Sequence, residues 1–129
     1  SNNKLDMLSE TRMGALLAKV GTLDPTAVPA ATAIRMATLH GARALGIEHK
    51  VGSIAVGKQA DLIAVDLAQI ETSPNFDPIS HIVYAAGREQ VSHVWVNGRN
   101  VLRERKLTTL DEAELKARAD SWRVRILGN

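Results

Sequence analysis

The sequence predicts an α/β chain in which helices and strands occupy separate stretches. Apolar residues recur at helical spacing in the first part of the chain and again near its end. Between these stretches, short apolar runs are bounded by glycine, aspartate and an Asn-Gly pair, which is typical of strands and turns. We therefore expect helices in 1–50, strands with one inserted helical turn in 51–110, and a surface helix in 111–129.

The composition excludes several classes of protein. The 129 residues include no cysteine, so disulfides and thiolate metal sites are excluded. No apolar run approaches the ~18 residues that span a bilayer, and no signal-peptide pattern is present, so we expect a cytoplasmic chain without membrane contact. The net charge of +2 is spread along the chain and aromatic residues make up only 3%, which argues against a nucleic-acid partner.

The first helix is predicted from Lys4 to Val20, with Asn3 as its N-cap and Gly21 as its end. Its apolar half contains Arg12, and a buried guanidinium needs a partner. Two interpretations are open. Either the Arg12 stem packs while its head reaches water, or the guanidinium pairs with a carboxylate elsewhere in a larger fold.

A second helix is predicted from Pro29 to Leu39, because proline suits the first position of a helix. We expect a break at His40-Gly41 and a short third helix through Leu45 that ends at Gly46. The packed side of the second helix is predicted to comprise Ile34, Ala37 and Thr38.

A turn bracketed by glycines is predicted to lead into the strand Leu62–Val65. Gly52 and Gly57 suit positive φ, Ile54 between them anchors the turn, and Asp61 sets it through backbone N–H groups.

A hairpin is predicted for the strand Val91–Val96 and the residues that follow Asn97-Gly98, the sequence that a type I′ turn favours. In a regular pairing of Val96 with Arg99, both faces carry large apolar groups, which favours a sheet between two layers. The predicted faces are Val94, Val96 and Val101 on one side, and His93, Trp95 and Leu102 on the other.

Two further helical segments are predicted. Asp77-Pro78 opens a helical turn at Ile79–Ala86, and Asp111 starts the last helix. The last helix carries an apolar stripe by which it should lie on a surface. That stripe comprises Leu115, Ala119, Trp122 and Ile126.

Residues with catalytic potential are scattered rather than clustered. The four histidines are His40, His49, His81 and His93. Their spacing matches no metal-binding motif, so we expect structural or solvent-facing roles for them. The serines lack a nucleophile elbow, and Asp61 and Asp66 flank a strand rather than pairing as acid and base. The residues alone therefore reveal no active site.

Several motifs in combination carry a family resemblance. They are Ser1-Asn2-Asn3-Lys4-Leu5-Asp6-Met7, Ala37-Thr38-x-x-Gly41-Ala42-Arg43-Ala44-Leu45-Gly46, the stretch from Gly52 to Asp66, Val83-Tyr84-Ala85-Ala86-Gly87, and Val94-Trp95-Val96-Asn97-Gly98-Arg99. From Ser1 to about Leu107 the chain resembles the amidohydrolase superfamily. Within it, the chain is similar to the aminohydrolases that include 5-methylthioadenosine/S-adenosylhomocysteine deaminases and triazine hydrolases.

This resemblance implies a fold and a site that extend beyond these residues. Residues 1–50 would be the closing helices of a metal-dependent (β/α)8 barrel, and 51–110 the C-terminal strands of a composite β-sandwich. A divalent metal, in this family usually zinc, would be bound by residues upstream of this chain and would activate a water for attack on a ring carbon. Ser1, Asn2 and Asn3 would be the only substrate-adjacent residues, because barrel enzymes build their sites from the loops after the strands. The piece alone would be inactive.

The favoured activity is deamination of an adenosine-type substrate, 5′-methylthioadenosine or S-adenosylhomocysteine. A chlorotriazine or guanine-type aminohydrolase is the alternative within the class, so the substrate is a purine nucleoside-like molecule or another heteroaromatic amine. The alternative from another class is a non-catalytic structural or assembly module. The other expected partners are the N-terminal barrel segment and, because members of the family are often dimers, a second copy.

Overall fold

The computed structural model describes residues 4–128 as a set of helices and one antiparallel sheet. The α-helices are α1 (Met7–Thr22), α2 (Ala30–Arg35), α3 (Gly41–Ala44), α4 (Pro78–Tyr84) and α5 (Glu112–Leu127). The strands are β1 (Leu62–Val65), β2 (Val91–Val96), β3 (Arg99–Arg103) and β4 (Lys106–Leu107). A π-helical segment (Met36–His40) joins α2 to α3, and 3-10 turns lie at Ile70–Thr72 and Arg88–Gln90. The predicted α/β class is confirmed.

Helix α1 begins at Met7, later than predicted, because Asp6 rather than an earlier residue caps it. Asp6 has extended backbone angles, and its carboxylate accepts the Ser9 N–H at 3.1 Å. The predicted cap Asn3 lies outside the described residues. The predicted stop at Gly21 is wrong, since the helix runs one residue further and closes on Leu23, which adopts φ 55°.

The helical path from α2 to α3 is continuous, so the break predicted at His40-Gly41 is wrong. Gly41 has helical angles of φ −60° and ψ −45°. A Cβ at this position would lie 3.2 Å from the Met36 carbonyl oxygen, so glycine lets the wide π-type turn close on itself. The path ends as predicted, with Gly46 at φ 69°.

The small core lies where α1, α2 and α4 meet. It comprises the buried residues Ala15, Ala33 and Val83, flanked by Val28, Ala30 and Ile34. Alanine at two of the three central positions allows the helices to approach closely. Ile34 therefore packs as predicted, whereas Ala37 and Thr38, which line the same hollow as Ile34, are exposed.

The strands form one sheet in the order β1-β2-β3-β4. The predicted hairpin is confirmed, since Val96 pairs with Arg99 and the turn residues Asn97 and Gly98 have φ of 49° and 77°. The bounds predicted for the first two strands are also those observed.

The assignment of side chains to the two faces of the hairpin needs a correction. The register shifts between Val94 and Trp95, so Val94 pairs with Leu102 while Trp95 pairs with Asn100. Directly opposed residues share a face, so Leu102 lies on the Val94 face and not on the Trp95 face. The physical reason is a β-bulge in β3, which inserts an extra residue and reverses the alternation beyond it.

The turn between β3 and β4 was not predicted. Glu104 and Arg105 adopt φ of 47° and 65°, a conformation that residues with a Cβ reach only at some cost. The Arg105 guanidinium compensates by donating hydrogen bonds to the carbonyl oxygens of Arg88 at 2.6 Å and Val91 at 3.0 Å. Arg105 therefore has a structural role, since it links this turn to the start of β2.

The remaining helix starts follow their predicted caps. Asp77 accepts the Ile79 N–H at 3.1 Å at the start of α4, which ends at Tyr84 rather than at the predicted Ala86. Asp111 accepts the N–H of Ala113 at 2.8 Å at the start of α5. Within residues 4–128, no helix combines the length and the apolar character that crossing a membrane demands.

Candidate functional site

The predicted substrate-adjacent residues Ser1, Asn2 and Asn3 lie outside the described residues, so that prediction stays untested. The metal centre of the predicted site is also not found among the described residues. No group of three or more histidine, aspartate or glutamate side chains within residues 4–128 is placed to hold a metal ion. The described residues therefore supply no ligand cluster for the metal, whose ligands the family resemblance expects upstream of this chain.

The two histidines within helix α4 and strand β2 have structural partners. The His93 ring stacks on Trp95, with ring centroids 5.5 Å apart and planes 9° from parallel. The His81 ring nitrogens face the carbonyl oxygens of Asp77 at 3.0 Å and Pro74 at 3.1 Å. Both arrangements hold local backbone or side chains in place, as the sequence predicted. His40 and His49 are exposed.

One buried carboxylate lies at the start of α1. Asp6 is 4% exposed. Burial raises the pKa of Asp6, but hydrogen bonds from the Ser9 hydroxyl and N–H, together with Lys4, outweigh it, so the net pKa lies below the ordinary value. The Ser9 hydroxyl is 2.8 Å and the Lys4 ammonium 3.4 Å from the carboxylate. Asp6 is therefore held ionised as a helix cap and is not available as a general acid.

The aspartates around β1 also act on the backbone. Asp61 accepts the N–H of Asn97, so it ties the start of β1 to the hairpin rather than setting its own turn. Asp66 accepts the Ala68 N–H at 2.9 Å just after the strand. The prediction that these two residues fix the strand ends is confirmed.

The main surface feature is an apolar groove formed by three adjoining hollows of about 170, 150 and 220 Å³. Met7, Thr11 and Ala37 line both the first and the second hollow. Thr38 and Ile63 line both the second and the third. The groove thus follows one side of α1 and the π segment and ends at β1. Its lining is mostly aliphatic, with Glu10, Ser53 and Asp61 among the polar exceptions, so it is suited to packing.

Large apolar side chains outside the core surround this groove. Met7 is 67% exposed, Ile63 is 53% exposed and Ile54 is 89% exposed. The prediction that Ile54 anchors its turn is therefore wrong within the described chain, because none of the described residues covers it. Gly52 and Gly57 do adopt the predicted positive φ, at 88° and 87°.

The total surface is large for the length of the chain. It measures 9502 Å², whereas a compact monomer of this mass exposes roughly 6,700 Å². The excess of about 2,800 Å² exceeds the ~800 Å² that each partner buries in a standard protein interface. The chain thus exposes, together with the apolar groove, an area larger than a standard interface.

Solved structures share this arrangement. An adenosine deaminase from Xanthomonas campestris with bound zinc matches with a TM-score of 0.95 and 53% identity, over 100% of this chain and 29% of that one. An atrazine chlorohydrolase from Arthrobacter aurescens complexed with zinc matches with a TM-score of 0.78 and 24% identity, over 88% of this chain and 25% of that one. The second likeness shows the fold alone.

Curated relatives match almost the whole chain. Proteins named 5-methylthioadenosine/S-adenosylhomocysteine deaminase are 50% identical in Moorella thermoacetica over 91% of this chain, and 43% identical in Teredinibacter turnerae over 98% of it. The chain spans only 27% and 28% of those two proteins. The model of the amidohydrolase family matches residues 1–101. The resemblance seen in the motifs is thus confirmed, and the chain belongs to the amidohydrolase family.

Proposed function

We propose that this chain is the C-terminal portion of a metal-dependent deaminase that acts on adenosine-type substrates, with 5′-methylthioadenosine and S-adenosylhomocysteine favoured. The observation that carries the proposal is the identity of 43 to 50% to proteins named for that activity. The fit to a protein named adenosine deaminase supports it, because the backbone agrees over the whole chain.

The geometry supports the role of a portion in a larger fold. In the proposal, residues 1–50 close a (β/α)8 barrel and place the apolar groove against barrel strands. Residues 51–110 contribute strands to a composite β-sandwich, and 111–129 form a helix on the outside. The exposed groove and the excess surface are what helices and strands show when the elements that cover them are missing.

The catalytic groups would then lie outside this chain. The metal, zinc by resemblance, would be bound by residues that precede it, and the described residues contribute no ligand cluster. Ser1, Asn2 and Asn3 would border the substrate at the mouth of the barrel. The contribution of the described residues is structural, through α1 and its buried cap Asp6, which fix the segment that follows the mouth.

The test is turnover by the full-length, zinc-loaded protein that contains this chain. We expect 5′-methylthioadenosine and S-adenosylhomocysteine to lose ammonia, which is followed through the change in purine absorbance. Guanine and a chlorotriazine serve as competing substrates, and the 129-residue chain alone serves as an inactive control. Turnover of guanine or the chlorotriazine without turnover of either nucleoside would assign the protein to the alternative branch.

A further inference from the structure

Helix α5 presents a second apolar surface, which is separate from the groove. Leu115, Trp122 and Ile126 recur on one side of the helix and are 40%, 58% and 78% exposed. None of the α5 residues is buried. An isolated helix of 16 residues is marginally stable in water. The stripe therefore needs a partner that the described residues do not supply.

The size of the stripe decides between the two available partners. A helix of this length is ~24 Å long, and a stripe on the order of 10 Å wide offers about 250 Å². A stable complex between separate chains buries ~800 Å² on each side, so two copies joined through α5 alone would fall short. A segment of the same polypeptide is held at a high effective concentration, so a small contact suffices.

We propose that the apolar stripe of α5 docks on the part of the same polypeptide that precedes Ser1. This inference rests on the proposed function, in which the chain belongs to a longer protein. The relatives leave ample room for such a segment, since this chain spans 29% of the Xanthomonas protein and 27% of the Moorella protein.

The charged residues beside the stripe indicate what kind of surface would bind it. Arg118 and Arg123 pair within the helix with Glu114 at 3.8 Å and Asp120 at 3.6 Å. Arg125 instead lies over the Trp122 ring, 5.2 Å from its centroid. The receiving surface is therefore an apolar patch that accommodates the Trp122 ring with Arg125 beside it.

Hydrogen exchange of the full-length protein tests the proposal. Amides of α5 should exchange about tenfold more slowly in the wild type than in Trp122→Glu, because docking protects a helix that otherwise opens easily. Val124→Glu is the matched control, since Val124 lies on the opposite side of α5 and is 45% exposed. It should keep the protection. Should Trp122→Glu also unfold α1, Ile126→Ala provides the milder variant.

Two outcomes would overturn the proposal. The first is wild-type α5 that exchanges as fast as in Trp122→Glu. The second is a pair of results: the protection disappears on dilution, and light scattering gives a dimer mass that Trp122→Glu halves. These results would identify a second copy as the partner. Deaminase activity is measured on the same samples. Protected α5 without any deamination would leave this inference standing and end the proposed function, and activity with unprotected α5 would do the reverse.

Discussion

At the scale of single residues, two glycines share a backbone conformation but differ in their neighbours. Gly52 and Gly57 have φ of 88° and 87°. A Cβ on Gly52 would lie 2.7 Å from the Ala42 Cβ and 3.0 Å from the Leu39 Cα, whereas a Cβ on Gly57 would meet nothing within 4 Å. Gly52 therefore provides both a positive φ and the close approach of the turn to the helical path that ends in α3. Gly57 provides only a positive φ.

We expect alanine to separate these two roles. Gly57→Ala should lower the free energy of unfolding by about 1 kcal/mol, the cost of a Cβ at positive φ. Gly52→Ala should lower the free energy of unfolding by the same amount and by about 1–3 kcal/mol more, because its Cβ would overpack against a rigid helix. Thermal and urea unfolding of the full-length protein measure the difference. Equal shifts for the two variants would show that the contact with Ala42 and Leu39 carries no energy.

At the scale of elements, Arg12 links α1 to the end of α4. Its Nε donates to the Val83 carbonyl oxygen at 3.0 Å, and its Nη2 donates to that of Ala86 at 2.6 Å. Neither interpretation from the sequence is right, because the guanidinium contacts neither a carboxylate nor only water. It satisfies carbonyls at the C-terminal end of a helix, where a positive charge is favoured.

Removing this link should weaken the contact between α1 and α4. Arg12→Met should lower the free energy of unfolding by about 2–3 kcal/mol, because the stem still packs but two carbonyls lose a charged donor. Arg12→Lys should lower it less, since one donor can still reach. Arg118→Met is the control and should change it by less than about 0.5 kcal/mol, because Arg118 forms only an exposed pair within its helix. Urea unfolding of the full-length protein gives these values, and a null result for Arg12→Met would contradict the link.

The elements that the sequence predicted well are those that local signals decide. Asn97-Gly98 requires a tight hairpin, and Asp111 caps its own helix, so both followed from a few adjacent residues. The contacts of Arg12 were not predictable, because Val83 and Ala86 lie far away in the sequence. The bulge that moves Leu102 to the other face was missed for the same reason, since register depends on the partner strand.

The features of the candidate site could be predicted from the sequence only in part. The spacing of His81 and His93 matches no metal-binding motif, and both rings have structural partners instead. The exposed groove could not be derived from periodicity, because a helix with a covered apolar side and one with an exposed apolar side have the same apolar spacing. Only the burial of individual side chains separates them, as Met7 of α1 illustrates at 67% exposed.

At the scale of the whole molecule, the chain has too little core for its surface. Its central cluster consists of Ala15, Ala33 and Val83 with three flanking residues, all in the helical part. The larger aliphatic side chains lie mostly outside it, among them Ile54 and Val56, which are 89% and 108% exposed. Since burial of large apolar groups is the main favourable contribution to folding, the contacts among the described residues supply only a small part of what the apolar side chains could contribute.

We therefore expect the isolated chain to behave poorly and the full-length protein to behave well. The isolated 129 residues should self-associate on size exclusion, bind a hydrophobic dye and melt without a cooperative transition, because the groove is open to water. Ile54→Ser tests whether exposed apolar surface is the cause. In the isolated chain it should reduce dye binding and self-association. In the full-length protein it should lower the Tm, because Ile54 would be covered there. A monodisperse isolated chain with a sharp melt, unaffected by Ile54→Ser, would instead identify a self-sufficient, non-catalytic module.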